Sequence, residues 1–175
     1  TVYEQALLEA NSLWKKQIDK NYTETLPSDS TTEHKILPML AQDYHKRGKD
    51  IKWPAYVQPK LDGIRCLVAK TSENTLEFYS RKGKIFEALS HLKEPLLKGM
   101  KIGDVFDGEL FTQELNFQQI CSAVKTEKKK NPLTEKIQYW IYDIADDGET
   151  FEQRKSRLEE FFDNCHSDVL VEVVA

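Results

Sequence analysis

Short runs dense in Val, Ile, Phe and Tyr, each ended by turn-forming residues, most limit the folds open to this chain. AYVQPK (55–60), IRCLVAK (64–70), TLEFYSR (75–81), DVFDGELF (104–111) and IQYWIYDI (137–144) all have this character. They predict strands, because β-branched and aromatic side chains suit a pleated, half-buried surface. Between them, EALSHLKEPLLK (87–98), ELNFQQICSAVK (114–125) and TFEQRKSRLEEFF (150–162) space apolar residues at i, i+3 and i+4, which predicts helices. IRCLVAK and TLEFYSR are joined by a short Ser-Glu-Asn turn, so at least part of the sheet is an antiparallel hairpin. The expected class is α+β.

Ahead of the strands, Ala6, Ala10, Leu13, Trp14 and Ile18 recur at helical spacing, so residues 2–20 read as an amphipathic helix that needs a surface to pack on. From Asn21 to Lys35 the sequence NYTETLPSDSTTEHK has the Ser, Thr and charge content of an exposed linker. The expected division is therefore 1–35, a helix and linker, and 36–175, the folded domain. A chain of 175 residues, 39% of them hydrophobic, is enough for one ordinary core.

A formal charge of −4 gives the chain as a whole no pull on polyanions, so any nucleic-acid contact must be local. Cys66, Cys121 and Cys165 are odd in number and widely spaced, which disfavours a disulfide framework or structural zinc and fits a reducing compartment. No apolar run approaches the roughly 20 residues of a membrane span, and the start lacks the order of a signal peptide. A soluble, intracellular protein with no membrane contact is expected. His34, His45, His91 and His166 lack metal-ligand spacing and are given no role.

One lysine stands out against this background. Lys60 follows Pro59 at the end of an apolar run, and Asp62-Gly63 turns the chain directly after it. A lysine becomes a nucleophile when desolvation or a neighbouring cation favours its free amine. Arg65 is such a cation, and its guanidinium also suits phosphate oxygens.

KLDGIR (60–65) resembles the K-x-D-G-x-R motif of the covalent nucleotidyltransferases, which include ATP-dependent DNA ligases, RNA ligases and mRNA-capping enzymes. Further motifs follow in the order of that superfamily: YSRKGK with Arg81, VFDGELF with Glu109, and YWIYDI with Tyr142 and Asp143. PMLAQDY (38–44) resembles the segment that precedes the lysine in ATP-dependent DNA ligases. Capping enzymes usually carry threonine after the lysine, whereas Leu61 here looks like the viral and bacteriophage DNA ligases. RNA ligase, capping guanylyltransferase and a non-catalytic binding module are the alternatives.

The resemblance implies an ATP-grasp-like nucleotidyltransferase (adenylation) domain with antiparallel sheets flanked by helices. It implies an enzyme that seals nicks in duplex DNA during replication, repair or recombination. Lys60 would carry AMP from ATP, with Mg²⁺ or Mn²⁺ as the metal. Gln58, Leu61, Arg65, Arg81, Glu109 and Tyr142 would line the nucleotide site: Glu109 on the ribose with a share in holding the metal, the two arginines on sugar and phosphate, Tyr142 stacked on adenine. Asp62 either orients the turn or approaches the nick. Lys125, Lys128, Lys129 and Lys130, in KTEKKK, either meet DNA phosphates or form a solvated loop. A further glutamate motif, a lysine pair and an OB-fold that such enzymes carry are expected beyond residue 175, making this a part of a longer, monomeric protein.

Overall fold

The computed structural model describes residues 1–18, 36–125, 131–146 and 148–175. Strands form at four of the five runs singled out by composition: β1 (Ile64–Ser72), β2 (Thr75–Ser80), β3 (Val105–Phe111) and β4 (Gln138–Ile144); a short β5 (Leu170–Glu172) joins them. They make one 5-stranded sheet in the order β2-β1-β3-β4-β5. β1 is antiparallel to both β2 and β3, and β3 to β4, while β5 runs parallel to β4.

The expected antiparallel sheets are thus a single mixed sheet. A parallel neighbour needs a crossover connection, and α5 (Phe151–Asn164) supplies it between β4 and β5. α5 starts at a capping box, in which the Thr150 side chain accepts from the Gln153 amide and the Gln153 side chain accepts from the Thr150 amide. α4 (Phe117–Val124) starts the same way, with Asn116 and Gln119; such caps satisfy otherwise orphaned N–H groups. α3 (Lys93–Gly99) is shorter than its sequence pattern, beginning after a 3-10 turn at Ser90–Leu92. Pro95 explains the late start, since proline is tolerated only in a helix's first turn. α2 (Tyr44–Arg47) is a single capped turn, and α1 (Val2–Ile18) is amphipathic as expected but buries no residue among those described. The predicted linker and the end of the predicted first helix lie outside the described residues.

Alternation along the strands separates two faces. Cys66 and Val68 of β1, Phe106 and Leu110 of β3, and Tyr139 and Ile141 of β4 face the main core, where Leu96 of α3, Ile120 of α4 and Leu158 and Phe161 of α5 meet them. The ring of Phe106 meets that of Phe161 edge-on, with centroids 4.9 Å apart. Lys70, buried on this side, donates from Nζ to the carbonyls of Leu97 and Met100, 2.8 Å from each, and so caps the C-terminal end of α3. The opposite face has only a small cluster of Leu67, Tyr79 and Val105. There the odd-numbered residues of β1 and β3, Arg65, Asp107 and Glu109, stand free of the helical layer.

β4 departs from strict alternation once. Gly108 pairs with Ile141 and Asp107 with Asp143, leaving Tyr142 as an extra residue opposite β3. A bulge of this kind sets two successive side chains on one side, and it brings both Tyr142 and Asp143 to the helix-free face.

AYVQPK is not a strand. Pro54 and Pro59 have no N–H to give to a ladder, and among the described residues no backbone–backbone hydrogen bond involves residues 52–62. The segment is a strap, fixed by side chains.

Candidate active site

The strap reaches the open face through Gln58. Its side-chain nitrogen donates to the carbonyl of Tyr142 at 3.0 Å and to that of Val173 at 3.1 Å, tying the strap to the ends of β4 and β5. Both acceptors are carbonyls, so the nitrogen must point to them and the amide oxygen points away. Two residues on, Lys60 is solvent-exposed. It lies close enough to Glu109 for its ammonium to pull the Glu109 pKa down. Past Lys60 the chain is pinned again: a Cβ on Gly63 would stand 2.5 Å from the Leu110 carbonyl oxygen and 2.8 Å from Glu109 Cγ, so only glycine lets the turn lie flat on β3.

Glu109 pairs across the sheet with Arg65. Burial pushes its carboxyl up to about 7, against the opposing pull of Lys60, Arg65 and a hydrogen bond from the Gly63 amide. Near neutrality this carboxyl is an acceptor or a donor depending on small changes around it. Arg65 is held on several sides. Its Nε donates to Asp107 Oδ1 at 2.9 Å, its Nη2 to Asp107 Oδ2, and its Nη1 to the Met39 carbonyl at 2.9 Å. Its guanidinium carbon lies 5.5 Å from the centroid of the Tyr142 ring. Asp107 is only 6% exposed; burial raises its pKa and the bidentate arginine pulls it back. Burial, reinforced by the Asp107 charge, likewise raises the Tyr142 phenol.

The expected residues are therefore partly united. Gln58, Lys60, Arg65, Glu109 and Tyr142 gather at one face, with half-buried Leu61 and exposed Asp62 in the turn beside them. Tyr142 and Trp140 share that face as the alternation predicts, while Tyr139 and Ile141 are buried on the other. Arg81 is apart, exposed in the turn after β2 and without an ion pair among the described residues. Lys125 ends α4, in the helical layer across the sheet, with Nζ 3.9 Å from Cys121 Sγ. Lys128, Lys129 and Lys130 lie outside the described residues. For the metal, no group of three or more His, Cys, Asp or Glu assembles among the described residues. Among the described residues Glu109 forms no ion pair with an arginine, whereas Asp107 and Asp143 do.

Sequence reasoning passed over Asp107. It sits two residues before Glu109, so strand alternation places both on one face, and a carboxylate next to a strand-paired arginine was the available signal. Tyr56 and Phe151 were also passed over; no local pattern links them.

Comparison with known proteins bears on the fold and the family. The chain is 37% identical over 87 residues to the DNA ligase of Enterobacteria phage T4, a match covering 43% of this chain and 18% of the phage protein. The chain thus spans less than a fifth of that relative. Among solved structures, the Chlorella virus DNA ligase-adenylate superposes with a TM-score of 0.53 at 25% identity, over 72% of this chain and 45% of the other. Pmar-Lig_Pre superposes with a TM-score of 0.62 at 20% identity, over 77% of this chain and 34% of the other, a likeness of fold alone. No helix among the described residues is long and apolar enough to cross a membrane. The ATP dependent DNA ligase domain profile matches residues 38–174, and with most of its length inside that match the chain belongs to this family.

Proposed function

We propose that this chain carries the nucleotidyl-transfer chemistry of an ATP-dependent DNA ligase that seals nicks in duplex DNA. The observation that carries this reading is the convergence of Lys60 and Glu109 on a sheet face shared by Arg65 and Tyr142. The neutral amine of Lys60 attacks the α-phosphorus of ATP: an N–P bond forms, the P–O bond to pyrophosphate breaks, and the amine gives up a proton. AMP then passes from Lys60 to the 5′-phosphate at the nick, and the 3′-hydroxyl displaces it to close the strand.

Each residue has a task in the first transfer. Glu109, as a carboxylate, accepts from a ribose hydroxyl. Tyr142 offers its ring to the adenine, a contact worth about 1–3 kcal/mol per base. Arg65, with part of its fork still uncommitted, faces sugar and phosphate, and Arg81 supplies a second cation from the β2 turn. The free acceptor oxygen of Gln58 suits the 6-amino group of adenine and not the 6-oxo group of guanine, which favours ATP over GTP. Leu61 and Asp62 shape the turn between Lys60 and the nick. Mg²⁺, or Mn²⁺, fits as an ion held mainly by the triphosphate with Glu109 as its protein carboxylate, a common arrangement for Mg²⁺. When bound it would neutralise charge on the phosphates. The division at residue 35, a monomeric full-length protein, an intracellular setting and an OB-fold beyond residue 175 complete the proposal, with nick sealing in replication, repair or recombination as its use.

Incubation with Mg²⁺ and either ATP or GTP, followed by intact mass measurement, tests it. An AMP adduct from ATP, absent with GTP and absent in Lys60→Ala, is the expected result. A full-length protein that takes up no nucleotide, or retains it in Lys60→Ala, overturns it.

A further inference from the structure

The nucleophile lies on a stretch of chain with no ladder to hold it. Residues 52–62 make no backbone–backbone hydrogen bond among the described residues, yet in-line attack demands that an amine be placed to within a fraction of an ångström. Side chains must do the placing. Downstream, Gly63 lies against the Leu110 carbonyl. Upstream the strap is attached by the Gln58 amide and by a ring contact between Tyr56 and Phe151 with centroids 4.9 Å apart and planes inclined at 54°.

Phe151 is a well-fixed partner. It is the first residue of α5, next to the Thr150 cap. Arg154 covers its ring with the guanidinium carbon 5.6 Å from the centroid. Arg154 is itself locked, donating from Nε and Nη2 to Asp143 at 2.8 and 3.0 Å and from Nη1 to the Glu149 carbonyl at 2.8 Å. Asp143 follows Tyr142 in the bulge of β4. A continuous line of contacts therefore runs from the proposed adenine platform through Asp143, Arg154 and Phe151 to Tyr56, four residues before Lys60.

Resting on the nucleotidyl-transfer reading, we propose that Tyr56 and Phe151 form an aromatic clasp that positions Lys60. They are positioning residues: neither touches the nucleotide, and both act through the strap. Tyr56 is 52% exposed, so its ring contributes little to the core, and its loss acts on placement instead of folding. A clasp differs from a binding contact in what it alters. Loosening it lowers the rate at which bound ATP is attacked and leaves the ATP concentration for half-maximal rate in place.

The test measures single-turnover formation of the Lys60 adduct across ATP concentrations for Tyr56→Ala, Phe151→Ala, the double variant, and the conservative Tyr56→Phe. Limited trypsin digestion, following cleavage between Lys60 and Leu61, gives a readout independent of activity. The clasp predicts a maximal rate lowered about 10-fold or more in each alanine variant with half-saturation unchanged. It predicts a double variant no worse than the poorer single one, near-normal rate in Tyr56→Phe, and faster cleavage after Lys60 in all the alanine variants. Phe151→Leu replaces Phe151→Ala should thermal melting show the latter unfolded. Unchanged rates and cleavage, losses that multiply in the double variant, or a shift in half-saturation alone overturn it. Absence of adduct from the unsubstituted full-length protein overturns the chemistry instead, and the clasp is then decided by trypsin: no change in cleavage after Lys60 rejects it.

Discussion

Arg65 and Asp107 form a two-pronged ion pair across neighbouring strands, and the same guanidinium lies against the ring of Tyr142. Two charges and an aromatic ring are thereby locked together on the face where Lys60 arrives. Breaking such a pair from one side strands the other charge in a poorly hydrated place. Asp107→Ala is expected to cost about 3 kcal/mol of stability. Arg65→Ala should cost a comparable amount, and the double variant much less than the sum, since the stranded charge is gone. Urea unfolding of the three variants measures this; additive losses would show that the pair is not a unit.

Glu109 makes stability depend on pH in a defined direction. Its folded-state pKa of about 7 lies above the ordinary 4.5, because burial disfavours the charged form. Between those values the folded chain keeps a proton that the unfolded chain has released, so stability falls as pH rises from about 4.5 to about 7 and is level above that. Asp107 and Glu172, also raised by burial, act in the same sense. Thermal melts of the wild type at pH 5 and pH 7 should differ more than those of Glu109→Gln. An equal or larger difference in the variant would contradict this.

The same titration bears on nucleotide binding. If the ionised carboxylate accepts from the ribose, affinity for adenosine, which has no titrating phosphate, rises as pH passes through about 7. Glu109→Gln should bind adenosine with no such rise. Titration by NMR at several pH values decides it, and a pH-independent wild type would remove Glu109 from the ribose.

Gly63 tests how closely the turn after Lys60 must approach β3. An added Cβ meets the Leu110 carbonyl and the Glu109 side chain together. Gly63→Ala is therefore expected to destabilise by about 1–3 kcal/mol, the usual scale for overpacking, and to slow adduct formation. A fully stable, fully active variant would mean that the turn can lift off the sheet.

Gln58→Leu removes both donors and the free acceptor at once. The preference for ATP over GTP in adduct formation should fall by about 10-fold or more, because a site that hydrogen-bonds its ligand discriminates chiefly through that bond. An unchanged preference would assign nucleotide choice to other residues.

Much of this could be read from sequence because strands obey a period of two. Once VFDGELF and IQYWIYDI are strands, Glu109 must share a face with Asp107, and Trp140 with Tyr142. What escaped depends on contacts between distant segments. AYVQPK has strand composition, yet Pro54 before it and Pro59 within it deny it a ladder, and its attachments are to residues 142, 151 and 173. β5 is too short to register as a strand by itself and exists because α5 returns the chain beside β4. The clasp and the Gln58 tie are products of that return, which no local pattern announces.

The extra residue in β4 has a consequence for how this protein can vary. With Tyr142 bulged, Asp143 stays opposite Asp107 and pairs with Arg154 of α5, while Ile144 remains in the main core. Flattening the bulge with every residue kept would exchange the two, driving a carboxylate among Phe and Leu side chains and an isoleucine into water, whereas deleting Tyr142 would leave both on their present faces and remove only its ring. Natural or engineered variants can therefore lose the extra position without disturbing the core of β4: the bulge is a removable shelf whose one load is the ring of Tyr142.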